Sequence, residues 1–188
     1  MEALIERVKN IIVKPKETWD TLKAEETTST AIVRDYLLLL AAIPPVAHFI
    51  GYAIVGLLGY RTPFFASLLQ SIVWYVLLIV QVYVSAFVIN SLAPSFGGNK
   101  NDSAAFKLVA YSLTPSFLAG IFYIIPALTA LSIVGLYSFY LLYVGLPRLM
   151  ECPQEKTISY FIVSIVVLFI IYVVMFGISG IFLCGTGR

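Results

Sequence analysis

Residues 108–147 read LVAYSLTPSFLAGIFYIIPALTALSIVGLYSFYLLYVGLP, a run of 40 residues without a charged side chain. A bilayer core about 30 Å thick is crossed by roughly 20 apolar helical residues rising about 1.5 Å each. The run is too long for one span and fits two, joined by a very short turn near Tyr123 to Ala127, where Pro126 removes a backbone donor. Outside it, charges occur only in the first 35 positions, at Arg61, between Lys100 and Lys107, between Arg148 and Lys156, and at Arg188. They leave three further uncharged runs, 36–60, 62–99 and 157–187, each of which reads as one helix. Turn formers from Pro94 to Lys100 end the second of these. The sequence therefore predicts an all-α membrane protein, a bundle of five transmembrane helices preceded by a short amphipathic interfacial helical segment. The segment covers 1–35 and the transmembrane domain 36–188, with spans over approximately 36–59, 64–93, 104–124, 127–147 and 158–183.

Composition agrees with this division. Hydrophobic residues make up 60% of the chain and charged residues 12%, against about 25% charged in soluble domains, which excludes a soluble globular protein. With one histidine, no metal-ligand cluster and a single Gly185-Thr186-Gly187 far from any strand pattern, the sequence offers no catalytic residue, no metal and no cofactor site. Arg7, Lys9, Lys14, Lys16, Lys23, Arg34, Lys100, Lys107, Arg148 and Lys156 share one side of a five-span topology, with Arg61 and Arg188 opposite. Excess basic charge near helix ends marks the cytoplasm, so the N-terminus is expected there and the C-terminus outside. All acidic residues lie on the same side as the basic cluster, so the net charge of +2 gives no nucleic-acid signal. The charged opening lacks the apolar core of a cleavable signal peptide, and the first span is expected to act as an uncleaved anchor.

Within residues 1–12, Leu4, Ile5, Val8, Ile11 and Ile12 recur on one helix face, with Glu2, Glu6, Arg7, Lys9 and Asn10 on the other. Pro15 starts a second helix, which carries Trp19 and Leu22 among Lys14, Lys16 and Lys23. A Trp beside lysines at a span entrance is what a headgroup layer selects, so this segment is expected to lie on the membrane; the alternative is a flank packed on the bundle. Arg7, Lys9, Lys14, Lys16, Trp19, Arg148 and Lys156 form the candidate cytoplasmic interface, the last two also suited to anionic headgroups.

Polar and small residues inside the spans are the other candidates. His48 and Gln81 each lie about 18 Å from the cytoplasmic end of their helices, and equal depth suggests a hydrogen bond between them, serving as helix glue or as part of a ligand site. Ser112, Ser116 and Gly120 recur every four residues and form a small-residue seam, which Gly177 and Gly180 can repeat in the last span. Pro44, Pro45 and Pro115 should kink their helices. Tyr36, Tyr60 and Tyr160 read as membrane-interface belt residues, whereas Tyr111, Tyr137 and Tyr140 pack in the core or line an inward cavity. Cys152 and Cys184 lie a membrane thickness apart and cannot pair; Cys152 reads as inert filler or as a palmitoylated juxtamembrane thiol.

The runs Ala110-Tyr111-Ser112-Leu113-Thr114-Pro115 and Leu136 to Met150 leading to Cys152-Pro153-Gln154-Glu155-Lys156 resemble prokaryotic members of the Yip family, the Ypt- or Rab-interacting proteins. Arg7-Val8-Lys9-Asn10, Lys14-Pro15-Lys16-Glu17-Thr18-Trp19 and Phe96-Gly97-Gly98 are similar to the same family, so the resemblance spans essentially the whole chain. It implies five membrane helices, a cytoplasmic N-terminus, a prokaryotic inner-membrane location and no enzymatic centre. Tyr111, Ser112 and Pro115 correspond to the tyrosine-containing motif of the family's third span. The Asp-Leu-Tyr-Gly-Pro motif of eukaryotic members, which act with Rab GTPases in trafficking, is replaced here by Arg34-Asp35-Tyr36. Two functions fit: a scaffold or adaptor that organises protein partners or the bilayer from its cytoplasmic face, or a small transporter or channel for a lipid or small molecule lined by Tyr111, Pro115, Tyr137, Tyr140, His48 and Gln81. The expected partners are the lipid bilayer, a protein at the cytoplasmic face and further copies of the chain, with no nucleic acid.

Overall fold

The computed structural model describes residues 2–56 and 61–186, which contain helices and no strand. Two short helices, α1 (Glu2–Val13) and α2 (Pro15–Ala24), precede five that are long and apolar enough to cross a membrane. These are α3 (Ser29–Val55), α4 (Phe64–Phe96), α5 (Asp102–Ile124), α6 (Pro126–Leu149) and α7 (Gln154–Thr186). Local chemistry sets their ends. Pro15 opens α2, and the Asn101 side chain caps α5 by accepting from the Ala104 amide at 3.0 Å. A single extended residue, Ile125, separates α5 from α6, because the proline that follows supplies no amide to continue the helix.

Several spans are irregular. π-helical turns at Val33–Leu37 and Ile50–Val55 flank the Pro44-Pro45 pair in α3. The facing ends of α5 and α6, Gly120–Ile124 and Pro126–Leu136, are 3₁₀-helical. Such turns rise ~2.0 Å per residue instead of ~1.5, so this end of α6 reaches further than an α-helix of equal length.

α5 is the central helix. Within its most apolar stretch 72% of residues are buried, against at most 33% in any other span. It is also the least hydropathic of the five, as a span shielded from lipid by its neighbours can be. The seam of small residues makes this possible. A Cβ on Gly120 would stand 2.5 Å from Pro44 Cγ, so α3 crosses α5 where only glycine fits. One turn earlier, the Ser116 hydroxyl donates to the Gly135 carbonyl at 3.0 Å and meets the Ser138 hydroxyl at 2.8 Å, tying α5 to α6. Large apolar side chains on the outer helices, such as Phe65, Phe87, Ile133 and Phe169, remain exposed, as a lipid-facing surface requires.

Three sequence expectations are corrected by burial. Trp19 is 0% exposed, inside the bundle instead of in a headgroup layer. Tyr36 and Tyr160 are core residues instead of belt residues: Tyr36 stacks against Tyr111 with ring centroids 4.5 Å apart, and the Tyr160 hydroxyl donates to the Ile89 carbonyl at 2.5 Å. Each of these aromatics has found apolar cover within the chain, which competes with the interface for the same side chains. Cys152 is buried with its sulfur 3.5 Å from the Thr157 hydroxyl, so it offers no surface thiol for a lipid anchor. Gly177 has no described atom within 4 Å of a Cβ and forms no seam among the described residues. Tyr60, Arg188, the surroundings of Gly180, the Cys184 side chain and the predicted end of the first span at 59 lie outside what the structure describes.

Candidate functional site

Helix C-termini leave carbonyls without intrahelical partners and carry partial negative charge. Both N-terminal helices have theirs met by side chains of the bundle. The Tyr137 hydroxyl donates to the Ile12 carbonyl at the end of α1, at 3.0 Å. The Lys107 ammonium, on buried α5, donates to the Leu22 carbonyl at 3.0 Å and to the Glu25 carbonyl just past α2. Lys107 is only 6% exposed, a position a lysine tolerates because its charge is satisfied by these dipoles.

A second set of contacts locks the pair in place. Arg7 donates through Nη2 to Glu25 Oε1 at 2.9 Å and through Nη1 to Glu25 Oε2 at 3.0 Å and to the Tyr111 hydroxyl at 2.9 Å. The paired hydrogen bonds from Arg7 hold the Glu25 carboxyl below its usual range, and the same pairing raises Arg7 further. The Trp19 indole lies on α6 so closely that a Cβ on Gly145 would stand 2.8 Å from Trp19 Cε2. At the rim, Arg148 pairs with Asp20 at 3.1 Å and Lys23 with Glu151 at 2.6 Å. Lys23 and Asn99 together keep the Glu151 carboxyl low.

The Tyr-Ser-Leu-Thr-Pro run of α5 is built around this contact. Pro115 supplies no amide to the Tyr111 carbonyl, four residues back; the Thr114 hydroxyl donates to that carbonyl instead, at 2.7 Å. Since Thr114 has spent its only hydrogen there, the Tyr36 hydroxyl, 2.6 Å away, is the donor to Thr114. The break in α5 is thus satisfied locally, and it places the Tyr111 ring between Tyr36 and Arg7.

Of the candidate interface residues, Arg7, Trp19 and Arg148 belong to this internal clamp, whereas Lys9, Lys14, Lys16 and Lys156 stay exposed. Ser112 and Pro115 are buried in α5, the Ser112 hydroxyl without a hydrogen-bond partner. Tyr140 is 43% exposed, its ring 5.3 Å from that of Tyr137. Tyr111, Pro115, Tyr137 and Tyr140 therefore do not converge on one cavity with His48 and Gln81.

His48 and Gln81 do share one. A cavity of about 200 Å³ is lined by both, together with Tyr52, Gln70, Trp74, Leu77, Leu78, Tyr123, Thr129 and Tyr172. His48 stacks on Tyr52 with centroids 4.4 Å apart and meets Trp74 edge-on at 5.5 Å; Trp74 lies 5.7 Å from Tyr123. The anticipated hydrogen bond is not formed: His48 Nδ1 is buried without a partner. Sequence reasoning missed Gln70 and Lys107. Gln70, Trp74, Leu77, Leu78 and Gln81 follow a single helix face, the signal that would have found the first, and Lys107 lies one turn before Tyr111 on the face that meets α2.

The Yip1 domain family model matches residues 9–176, which include the clamp from Trp19 to Arg148 and the whole cavity lining. The inner membrane protein YohC of Escherichia coli K12 is 26% identical over 155 residues, covering 78% of this chain and 80% of that protein. YohC of Escherichia coli O6:H1 aligns equally well. No solved structure matches.

Proposed function

The chain belongs to the Yip1 domain family, and from that premise we propose that it is a non-enzymatic scaffold or adaptor of a prokaryotic inner membrane, its charged end in the cytoplasm. One observation carries this reading: α1 and α2 are fixed to the bundle through Arg7, Trp19 and Lys107 while Lys9, Lys14, Lys16 and Lys156 remain exposed. A charged segment that is anchored in this way loses little conformational freedom when a partner binds it. The outward face, with Ile5 and Val13 exposed among the lysines, suits a surface that meets headgroups and a protein together. Its location follows the relative's description as an inner membrane protein, and its orientation follows the distribution of basic residues.

The test is site-specific photo-crosslinking in intact membranes from positions 9, 16 and 156. The scaffold reading expects one discrete protein adduct common to these positions, lost when Trp19→Ala releases α2. Adducts to lipid alone at all three positions would contradict it.

A further inference from the structure

The cavity is walled by residues of α3, α4, α5, α6 and α7, and none of its lining residues takes part in the clamp. Its walls are aromatic, with Tyr52, His48, Trp74 and Tyr123 in sequence around it. Its polar groups are two amides, an imidazole and hydroxyls, and none of the described lining residues is Asp, Glu, Lys or Arg. We propose that this cavity binds the uncharged, hydroxyl-bearing head group of a membrane amphiphile of the diacylglycerol class. The proposal is independent of the adaptor reading.

Three observations set that chemistry. First, charge: an ion taken into a site within apolar spans needs a counter-charge, and the lining supplies none, so the head is neutral. Second, hydrogen bonding: Gln70 and Gln81 each present donors and acceptors. His48 Nδ1 is buried and unpaired, and the Thr129 hydroxyl has given its hydrogen to the Pro126 carbonyl at 2.8 Å and is left to accept. A hydroxyl, which donates and accepts, satisfies such a mixed set; a carbonyl head, which only accepts, does not. Third, size: 200 Å³ is below the ~300–1,000 Å³ of pockets that enclose whole ligands. It holds roughly six or seven water-sized groups, the size of a three-carbon polyol. The tails then lie outside, where Ile121, Ile125 and Leu128, neighbours of the lining residues Tyr123 and Thr129, are exposed.

The test uses the full chain in nanodiscs with Trp19→Phe, which leaves Trp74, a lining residue, as the sole tryptophan. Titration with dioctanoylglycerol should change Trp74 emission saturably. Gln70→Leu with Gln81→Leu should weaken binding at least tenfold, the loss of about one net hydrogen bond. Thr129→Val, a smaller change, provides a second variant whose binding should weaken in the same direction. Dioctanoylphosphatidylglycerol and dioctanoylphosphatidylcholine, with the same tails and charged heads, should not compete. The proposal is overturned by emission that does not saturate, by unchanged affinity in correctly eluting variants, or by equal competition from either charged lipid.

Discussion

The Arg7 guanidinium and the Tyr111 hydroxyl, 104 positions apart in the chain, are joined by a 2.9 Å hydrogen bond. The contact couples the first amphipathic helix to the one span that is shielded from lipid on most sides, and it gives the tyrosine of the Tyr-Ser-Leu-Thr-Pro run a physical task. Tyr111→Phe removes the acceptor while Arg7 keeps Glu25. The expected loss is about 1 kcal/mol, read as a severalfold faster amide exchange confined to α1 and α2.

Gly145→Ala is expected to weaken docking more. The added methyl meets a rigid indole at 2.8 Å and Leu108 Cδ1 at 2.5 Å, and overpacking of this kind costs about 1–3 kcal/mol. In a Trp74→Phe background the remaining Trp19 emission should shift to the red as the indole moves toward water.

Lys107→Met keeps the aliphatic stem and deletes the ammonium, leaving the Leu22 and Glu25 carbonyls unmet. A loss of roughly 1–3 kcal/mol is expected, with Lys107→Arg retaining part of it. Thermal unfolding in detergent followed by tryptophan emission orders the three proteins.

Docking should also depend on pH. Arg7 lowers the Glu25 carboxyl below its ordinary value of 4.5. A carboxyl lowered in the folded state stabilises that state above its ordinary value, and the contribution disappears as pH falls through the lowered one. Lys23 lowers Glu151 and acts with the same sign. Protease sensitivity of residues 2–24 should rise as pH falls below that of an ordinary carboxyl, and Glu25→Gln should remove much of the dependence while docking less well at neutral pH.

The number of spans was legible because a bilayer converts run length directly into helix count, and Pro126 marked the division of the 40-residue run. The periodicity of Leu4, Val8 and Ile11 and the proline at 15 likewise revealed α1 and α2. What α2 packs against was not legible. A tryptophan among lysines suits a headgroup layer and a bundle end equally, and the choice falls to Gly145, more than a hundred residues away, whose missing side chain makes room for the indole. Tyr36 and Tyr160 pose the same ambiguity, resolved by Tyr111 and by the Ile89 carbonyl. Lys107 escaped notice because a lysine at the edge of a charged stretch reads as solvated until two helix-end carbonyls surround it. The cavity was half visible: depth singled out His48 and Gln81, but depth alone does not reveal Gln70, which requires following the helix face. The 3₁₀ geometry of Pro126–Leu136 had no signal in residue type, since the same residues form α-helices elsewhere.

The N-terminal helices are held by the bundle and not by the membrane surface, and Trp19 reports directly on which of the two holds them. In a Trp74→Phe protein reconstituted with brominated lipids and titrated with aqueous acrylamide, a Trp19 that is 0% exposed should resist both quenchers. An indole lying among headgroups would be quenched by both, and that result would mean that the membrane surface, not the bundle, holds α2.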